Sequence, residues 1–200
     1  MSPPSEVLSP QLPASSEYSF EERRILLRLA RQAIASAFSG ERLDLNAPTE
    51  HLAEKRGAFT TLHLEGKLRG CIGYVAAQHP LYRTVAETAQ AAAFDDPRFP
   101  PVTPAEAPRL DIEISVLSTL KPIEPERVII GRHGLLVSKN GRRGLLLPQV
   151  PLEWGWNRET FLAQTCLKAG LPSDAWRQGA EIKSFTAEIF NDAEFVGPSH

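Results

Sequence analysis

The sequence predicts an α+β fold whose sheets are mainly antiparallel. Three observations carry that expectation. Two β-rich hairpin patterns close on two-residue turns, Glu65-Gly66 and Asn140-Gly141. The stretch "RLDIEISVLS" alternates apolar and polar residues, as a strand with one buried face does. The helical stripes lie outside these hairpins, so no regular β-α-β alternation calls for a parallel sheet.

Taken in order, residues 1–17 are rich in proline and serine. They cannot bury enough apolar surface to offset their ordering entropy, and are expected to form a disordered tail. Order is expected from Tyr18 onward. Ser19 and Glu22 make an S-x-x-E capping pair. Ile25, Leu26, Leu29, Ala33, Ile34, Ala37 and Phe38 continue as a helical stripe, and Gly40 suits its end. A short helix is expected over residues 49–56. "GAFTTLHLEGKLRGCIGYV" is the first hairpin; on its second strand Leu68, Gly70, Ile72 and Tyr74 face one way, and Arg69, Cys71, Gly73 and Val75 the other.

Pro80 opens a helix through "LYRTVAETAQAAAF". "DDPRFPPVTPAEAPRL" is too dense in proline for anything but a loop, with one helical turn near 104–107. In the strand that follows, Leu110, Ile112, Ile114 and Val116 form the apolar face; Asp111, Glu113 and Ser115 form the polar one. "HGLLVSKNGRRGLLLPQ" is the second hairpin. Asn157 caps a helix that Gly170 ends. A short helix begins near Ser173, and "EIKSFTAEIF" reads as one closing strand.

Composition excludes several function classes. The chain has 200 residues, 22 basic and 24 acidic, for a net charge of −2. Nothing in that balance argues for nucleic acid or an anionic membrane as partner. No apolar run approaches the roughly 20 residues that span a bilayer. No secretory signal pattern opens the sequence, so a cytoplasmic location is expected. The two cysteines, Cys71 and Cys166, are expected to be free thiols in a reducing compartment. There is no C-x-x-C, H-x-H or H-x-x-x-H, so no metal site is expected, nor any cofactor.

The residues that could carry chemistry centre on "KLRGCIGY", Lys67 to Tyr74. A thiolate is the reactive form of cysteine, and a nearby cation favours it. Arg69 stands two residues from Cys71. Gly70 and Gly73 would admit a ligand close to the backbone, or aim amide groups at an anion. The plainer alternative is a cysteine packed as a small hydrophobe beside a bulge. Glu113 is a candidate general base if its strand face lines a cleft, and an ordinary outward residue if it does not. His133, between Gly131 and Gly134, could pair with a thiol. Cys166 lies on an apolar helix stripe and reads as core. Trp154 and Trp156 read as packing of a connecting segment, or as a partner surface.

Several blocks together identify a resemblance. "LRGCIG", "AFDDPRFPP", "IEISVLS", "GRHGLLV", "GLLLPQV", "FLAQTCLKAGL" and "FTAEIF" resemble, in the same order, the blocks of the AMMECR protein family, whose prokaryotic members are called AmmeMemoRadiSam system protein A. The likeness runs from about residue 18 to 195. It implies a two-lobed α+β fold with flanking helices and a cleft between the lobes. The larger lobe is expected over about 18–120 plus 180–196, the smaller over about 121–179. It marks the hexapeptide as the site, which points to Leu68, Arg69, Gly70, Cys71, Ile72 and Gly73; with the acid–base candidates read above, Cys71, Glu113 and His133 are the expected catalytic residues and Arg69, Gly70, Ile72 and Gly73 the expected ligand contacts. It implies a component of a system with a Memo-like protein and a radical S-adenosylmethionine protein. The expected role is a small-molecule enzyme or catalytic accessory centred on Cys71, or else a binding and assembly module for those partners. The resemblance supplies a fold and a site, not a reaction or a substrate.

Overall fold

The computed structural model describes residues 16–46 and 48–195. Most of the expected tail lies outside them. Its last two residues, Ser16 and Glu17, are tied down: the Ser16 hydroxyl and the Glu17 amide donate to the Glu188 carboxylate at 2.6 and 2.7 Å. The described residues form four α-helices and two antiparallel four-stranded sheets, an α+β fold.

Helix α1 (Phe20–Ser39) starts at the Ser19–Glu22 capping box and ends at Gly40, whose φ of 70° is left-handed. Only one 3₁₀ turn, His51–Ala53, occupies the short helical pattern after it. Strands β1 (Ala58–Leu64) and β2 (Lys67–Tyr74) form the first hairpin. Both turn residues, Glu65 and Gly66, have positive φ, as a type I′ turn requires. Helix α2 (Leu81–Phe94) follows Pro80, and β3 (Leu110–Leu117) buries every second residue as its alternation predicts. Strand β8 (Ala187–Asn191) completes the first sheet, in the order β2-β1-β3-β8. Its apolar face packs against α1 and α2, around Leu26, Ile34, Leu62, Val85, Ile112 and Phe190.

The second sheet, β4-β7-β5-β6, joins β4 (Lys121–Pro122), β5 (Gly134–Lys139), β6 (Arg142–Leu146) and β7 (Glu181–Phe185). Helices α3 (Val150–Glu153) and α4 (Arg158–Lys168) lie between β6 and β7 in the chain. Phe161, Leu162 and Cys166 of α4 pack on Leu135, Val137 and Ile182, giving this lobe its own core. Cys166 is fully buried there, as its stripe predicted.

Two features differ from the sequence reading. The closing "EIKSFTAEIF" is two strands, not one. It breaks at Thr186, so β7 pairs with the second sheet and β8 with the first. Residues 181–185 therefore belong to the smaller lobe, and the chain returns to the larger lobe one strand later than expected. Alternation hid the break, because both halves read as half-buried strand. The short α3, carrying Pro151 in its first turn, had no periodic signal at all.

A groove of about 860 Å³ separates the lobes. Its walls are the edge of β8 that no described strand pairs with, the residues around Gly131 and Arg132, the segment Pro148–Leu152, and Ser16, Glu17 and Arg23.

Candidate functional site

The hexapeptide Leu68–Gly73 does not lie in that groove. It occupies β2, the opposite edge of the first sheet. The β1–β2 register pairs Leu62 with Gly70 but His63 with Leu68, so Arg69 is an extra, bulged residue. The bulge reverses the side-chain alternation on its Leu68 side. Gly70 and Ile72 turn toward the helices; Cys71, Gly73 and the exposed Leu68 turn toward the face without helices.

Each glycine makes room for a neighbour. A Cβ on Gly70 would run into the backbone carbonyl of Ala92 in α2; one on Gly73 would run into the ring of Phe59. Gly70 thus lets a helix backbone press directly on the strand, and Gly73 lies under an aromatic ring. Ile72 packs against the first core. Of the expected ligand contacts, then, Gly70 and Ile72 face inward, and only Gly73 is on the open face.

Arg69 is committed elsewhere. Its Nε and Nη2 bind the two carboxylate oxygens of Glu106 at 3.1 and 3.2 Å. Its Nη1 and Nη2 also donate to the carbonyls of Pro100 and Pro101. With Thr103 donating to the same carboxylate, Arg69 holds Glu106 down to a pKa of about 2. This guanidinium fastens the proline-rich loop to the bulge. It is not aimed at the thiol.

A different pair serves the outer edge of β2. The Cys71 amide donates to Asp96 Oδ2 at 2.9 Å, and Arg98 Nη2 donates to the Cys71 carbonyl at 3.2 Å. Asp96 and Arg98 are themselves paired at 2.7 Å. Together they replace the missing neighbouring strand with one acceptor and one donor. Asp96 is only 4% exposed; its carboxylate accepts from the Arg98 guanidinium and from the amides of Cys71 and Arg98, which hold it well below the usual carboxylate range. "FDDPRFPP" is therefore a cap on a strand edge.

The Cys71 side chain is half-buried on the open face, 3.2 Å from the Thr61 hydroxyl. The register sets Cys71, Thr61, Glu113 and Asn191 in one row across all four strands, on that same face. At about 4.8 Å between strands, Glu113 stands roughly 10 Å from Cys71 across Thr61. That is too far for direct contact but within the span of one bound small molecule. His133 is not part of the row. It belongs to the second lobe, where its Nδ1 accepts from the Ile129 amide at 3.1 Å. Burial and the neighbouring Arg132 push its pKa down. Among the described residues no hydrogen bond or ion pair joins it to Cys71 or Glu113.

Register also brings toward the row an imidazole that the sequence did not single out, His63. Strand parity places it on the open face, two residues along from Thr61 and directly opposite Asp111. Counting back from the Glu65-Gly66 turn gives that parity. Only the bulge at Arg69 hid its relation to Cys71. Among the described residues no three His, Cys, Asp or Glu side chains cluster closely enough to hold a metal ion. No helix there is long and apolar enough to cross a membrane.

Comparison with known proteins agrees with this architecture. A protein of Methanopyrus kandleri, MK0488, is 45% identical over 192 residues, covering 90% of this chain and 93% of its own length. Protein MJ0810 of Methanocaldococcus jannaschii is 42% identical over 186 residues, covering 88% and 92%. The crystal structure of the uncharacterized protein PH0010 from Pyrococcus horikoshii superposes with a TM-score of 0.70 at 44% identity, over 83% of this chain and 89% of that one. The profile of the AMMECR1 family matches residues 27–190, a span holding Cys71, Thr61, Glu113 and the capped β2 edge, and the chain belongs to that family.

Proposed function

We propose that the chain is a catalytic accessory subunit whose open sheet face carries the reactive thiol Cys71 and is closed by a partner protein. The observation that supports this is the row Cys71, Thr61, Glu113 on a sheet face without helices. Thr61 donates to the sulfur or accepts from it. Glu113 and His63, with Asp111 opposite His63, are the acid–base groups that a small molecule lying across the row would meet. No helix covers this face, and a thiol acting on a small molecule needs water excluded. A covering partner supplies that exclusion. The partners that suit this role are a Memo-like protein and a radical S-adenosylmethionine protein in the cytoplasm.

A second reading keeps the partners and removes the chemistry: the face is an assembly surface, and Cys71 a small residue within it. The openness of the row, outside the groove between the lobes, favours that reading. Alkylation of Cys71 across pH, with buried Cys166 as internal control, addresses the thiol. Catalytic use requires Cys71 to titrate clearly below about 8.5. The chain is then mixed with both partners and small-molecule turnover followed by untargeted mass spectrometry. Catalysis predicts that Cys71→Ser abolishes turnover while the complex still forms. Unchanged turnover in that variant sinks the catalytic reading, and loss of the complex alone supports assembly.

A further inference from the structure

The first sheet has two edges and treats them differently. The β2 edge is capped by Asp96 and Arg98; the β8 edge opens into the groove between the lobes. Which backbone groups lie open follows from the hydrogen bonds. The Cys71 amide points away from β1, the Leu117 amide reaches Gly57 on the β1 side of β3, and the Ile112 amide reaches Asp192 on the β8 side. Antiparallel alternation then turns the N–H and C=O groups of Ala187, Ile189 and Asn191 to the side of β8 that no described strand pairs with. Beside them Ile189 is 49% exposed, and across the groove Leu152 is 60% exposed.

The charges in the groove are not equivalent. Glu188 is already bound by Ser16, the Glu17 amide and Arg23. Arg132 lines the second-lobe wall and has no hydrogen bond or ion pair through its side chain among the described residues. That wall belongs to a basic lobe: residues 121–185 hold ten Lys and Arg against six Asp and Glu.

We propose that this groove binds an extended peptide segment of a partner protein by strand addition to β8. The segment sets apolar side chains at alternate positions against Ile189 and Leu152, and a carboxylate against Arg132. Strand addition takes its affinity from main-chain hydrogen bonds and its specificity from every second side chain. This does not rest on the Cys71 reading, because the groove lies at the other edge of the sheet.

The test is selection of a randomised dodecapeptide phage library on the full chain, followed by anisotropy titration of the enriched peptides. They are expected to alternate apolar residues, to carry Asp or Glu, and to slow amide exchange at Ala187, Ile189 and Asn191. Ile189→Lys, a charge on an exposed edge, and Arg132→Glu are each expected to weaken binding by about tenfold or more. The proposal is overturned if nothing enriches, if the peptides bind both variants as well as the parent, or if β8 amides exchange unchanged. It is equally overturned if β8 protection follows dimerisation of the chain. Tighter peptide binding after Val7→Asp and Leu8→Asp would also overturn it, by assigning the groove to the chain's own first residues.

Discussion

Both sheets have an edge strand with an arginine–glycine step, and the two steps behave differently. Arg143-Gly144-Leu145 lies on β6 and Arg69-Gly70-Cys71 on β2. In each, the glycine admits a helix backbone: Ala92 of α2 against Gly70, and Ala169 at the end of α4 against Gly144. The flanking residues diverge. Arg143 is exposed and its side chain makes no hydrogen bond or ion pair among the described residues, whereas Arg69 is bound at every guanidinium nitrogen. The glycine is therefore a general packing solution of this fold. What sets the hexapeptide apart is the locked arginine, the capped edge and a thiol on the open face.

The largest effect tests the shared part. Gly70→Ala and Gly144→Ala each force a methyl group into helix backbone, which cannot rotate aside. Each is expected to lose about 3 kcal/mol in urea denaturation. In Gly73→Ala the nearest atoms belong to the Phe59 ring, a side chain that can tilt, and the expected loss is smaller, about 2 kcal/mol. If Gly70→Ala cost no more than Gly73→Ala, the packing account of the hexapeptide would fail.

The arginines come next. Arg69→Met keeps the side-chain stem but strips Glu106 and two proline carbonyls of their donor, and should cost about 2 kcal/mol. Arg143→Met should stay within about 0.5 kcal/mol. Equal effects would erase the contrast between the two steps.

Acid titration reads the same contrast without mutation. Glu106 falls from 4.5 to about 2, chiefly through Arg69, and Asp96 is depressed chiefly through Arg98. A carboxyl depressed by folding contributes stability above its unfolded pKa and loses it as pH falls toward the folded one. The part of the stability that these two carboxyls contribute should therefore be level above about pH 5 and decline between about 4.5 and 2. Arg69→Met should flatten the upper part of that decline, and Arg143→Met should leave it unchanged.

Much of this was legible in the sequence, for local reasons. The Ser19–Glu22 box, the Asn157 cap, the turn at Asn140-Gly141 and the alternation of Leu110–Val116 are short-range signals, and each formed where expected. The position of the hexapeptide on a strand was legible too; that a bulge at Arg69 turns Leu68 to the other face was not. Its tertiary partners were not. Which carboxylate holds Arg69, and that Asp96 binds the Cys71 amide, depend on a proline loop folding back over 25 to 37 positions of sequence. No local pattern encodes that return. The same limit explains the pairing of Cys71 with His133, two residues that the structure leaves in separate lobes, and the neglect of His63, which register alone brings onto the open face.

The smallest expected effect is the most informative about the thiol. The bonds that tie Cys71 to Asp96 and Arg98 come from its backbone, so any side chain at this position retains them. Its sulfur makes one hydrogen bond, to Thr61, from a half-buried site. Cys71→Ala should therefore cost less than about 1 kcal/mol, with the Thr61 hydroxyl free to bond water. Cys166→Ala empties space in the core around Phe161 and Leu162 and should cost more, about 1–2 kcal/mol. A Cys71→Ala chain as stable as the parent but inactive with its partners would separate the thiol from the scaffold. One that unfolds like Gly70→Ala would mean that the sulfur belongs to the packing after all. The hexapeptide would then be, from end to end, a solution to bringing α2 against an edge strand.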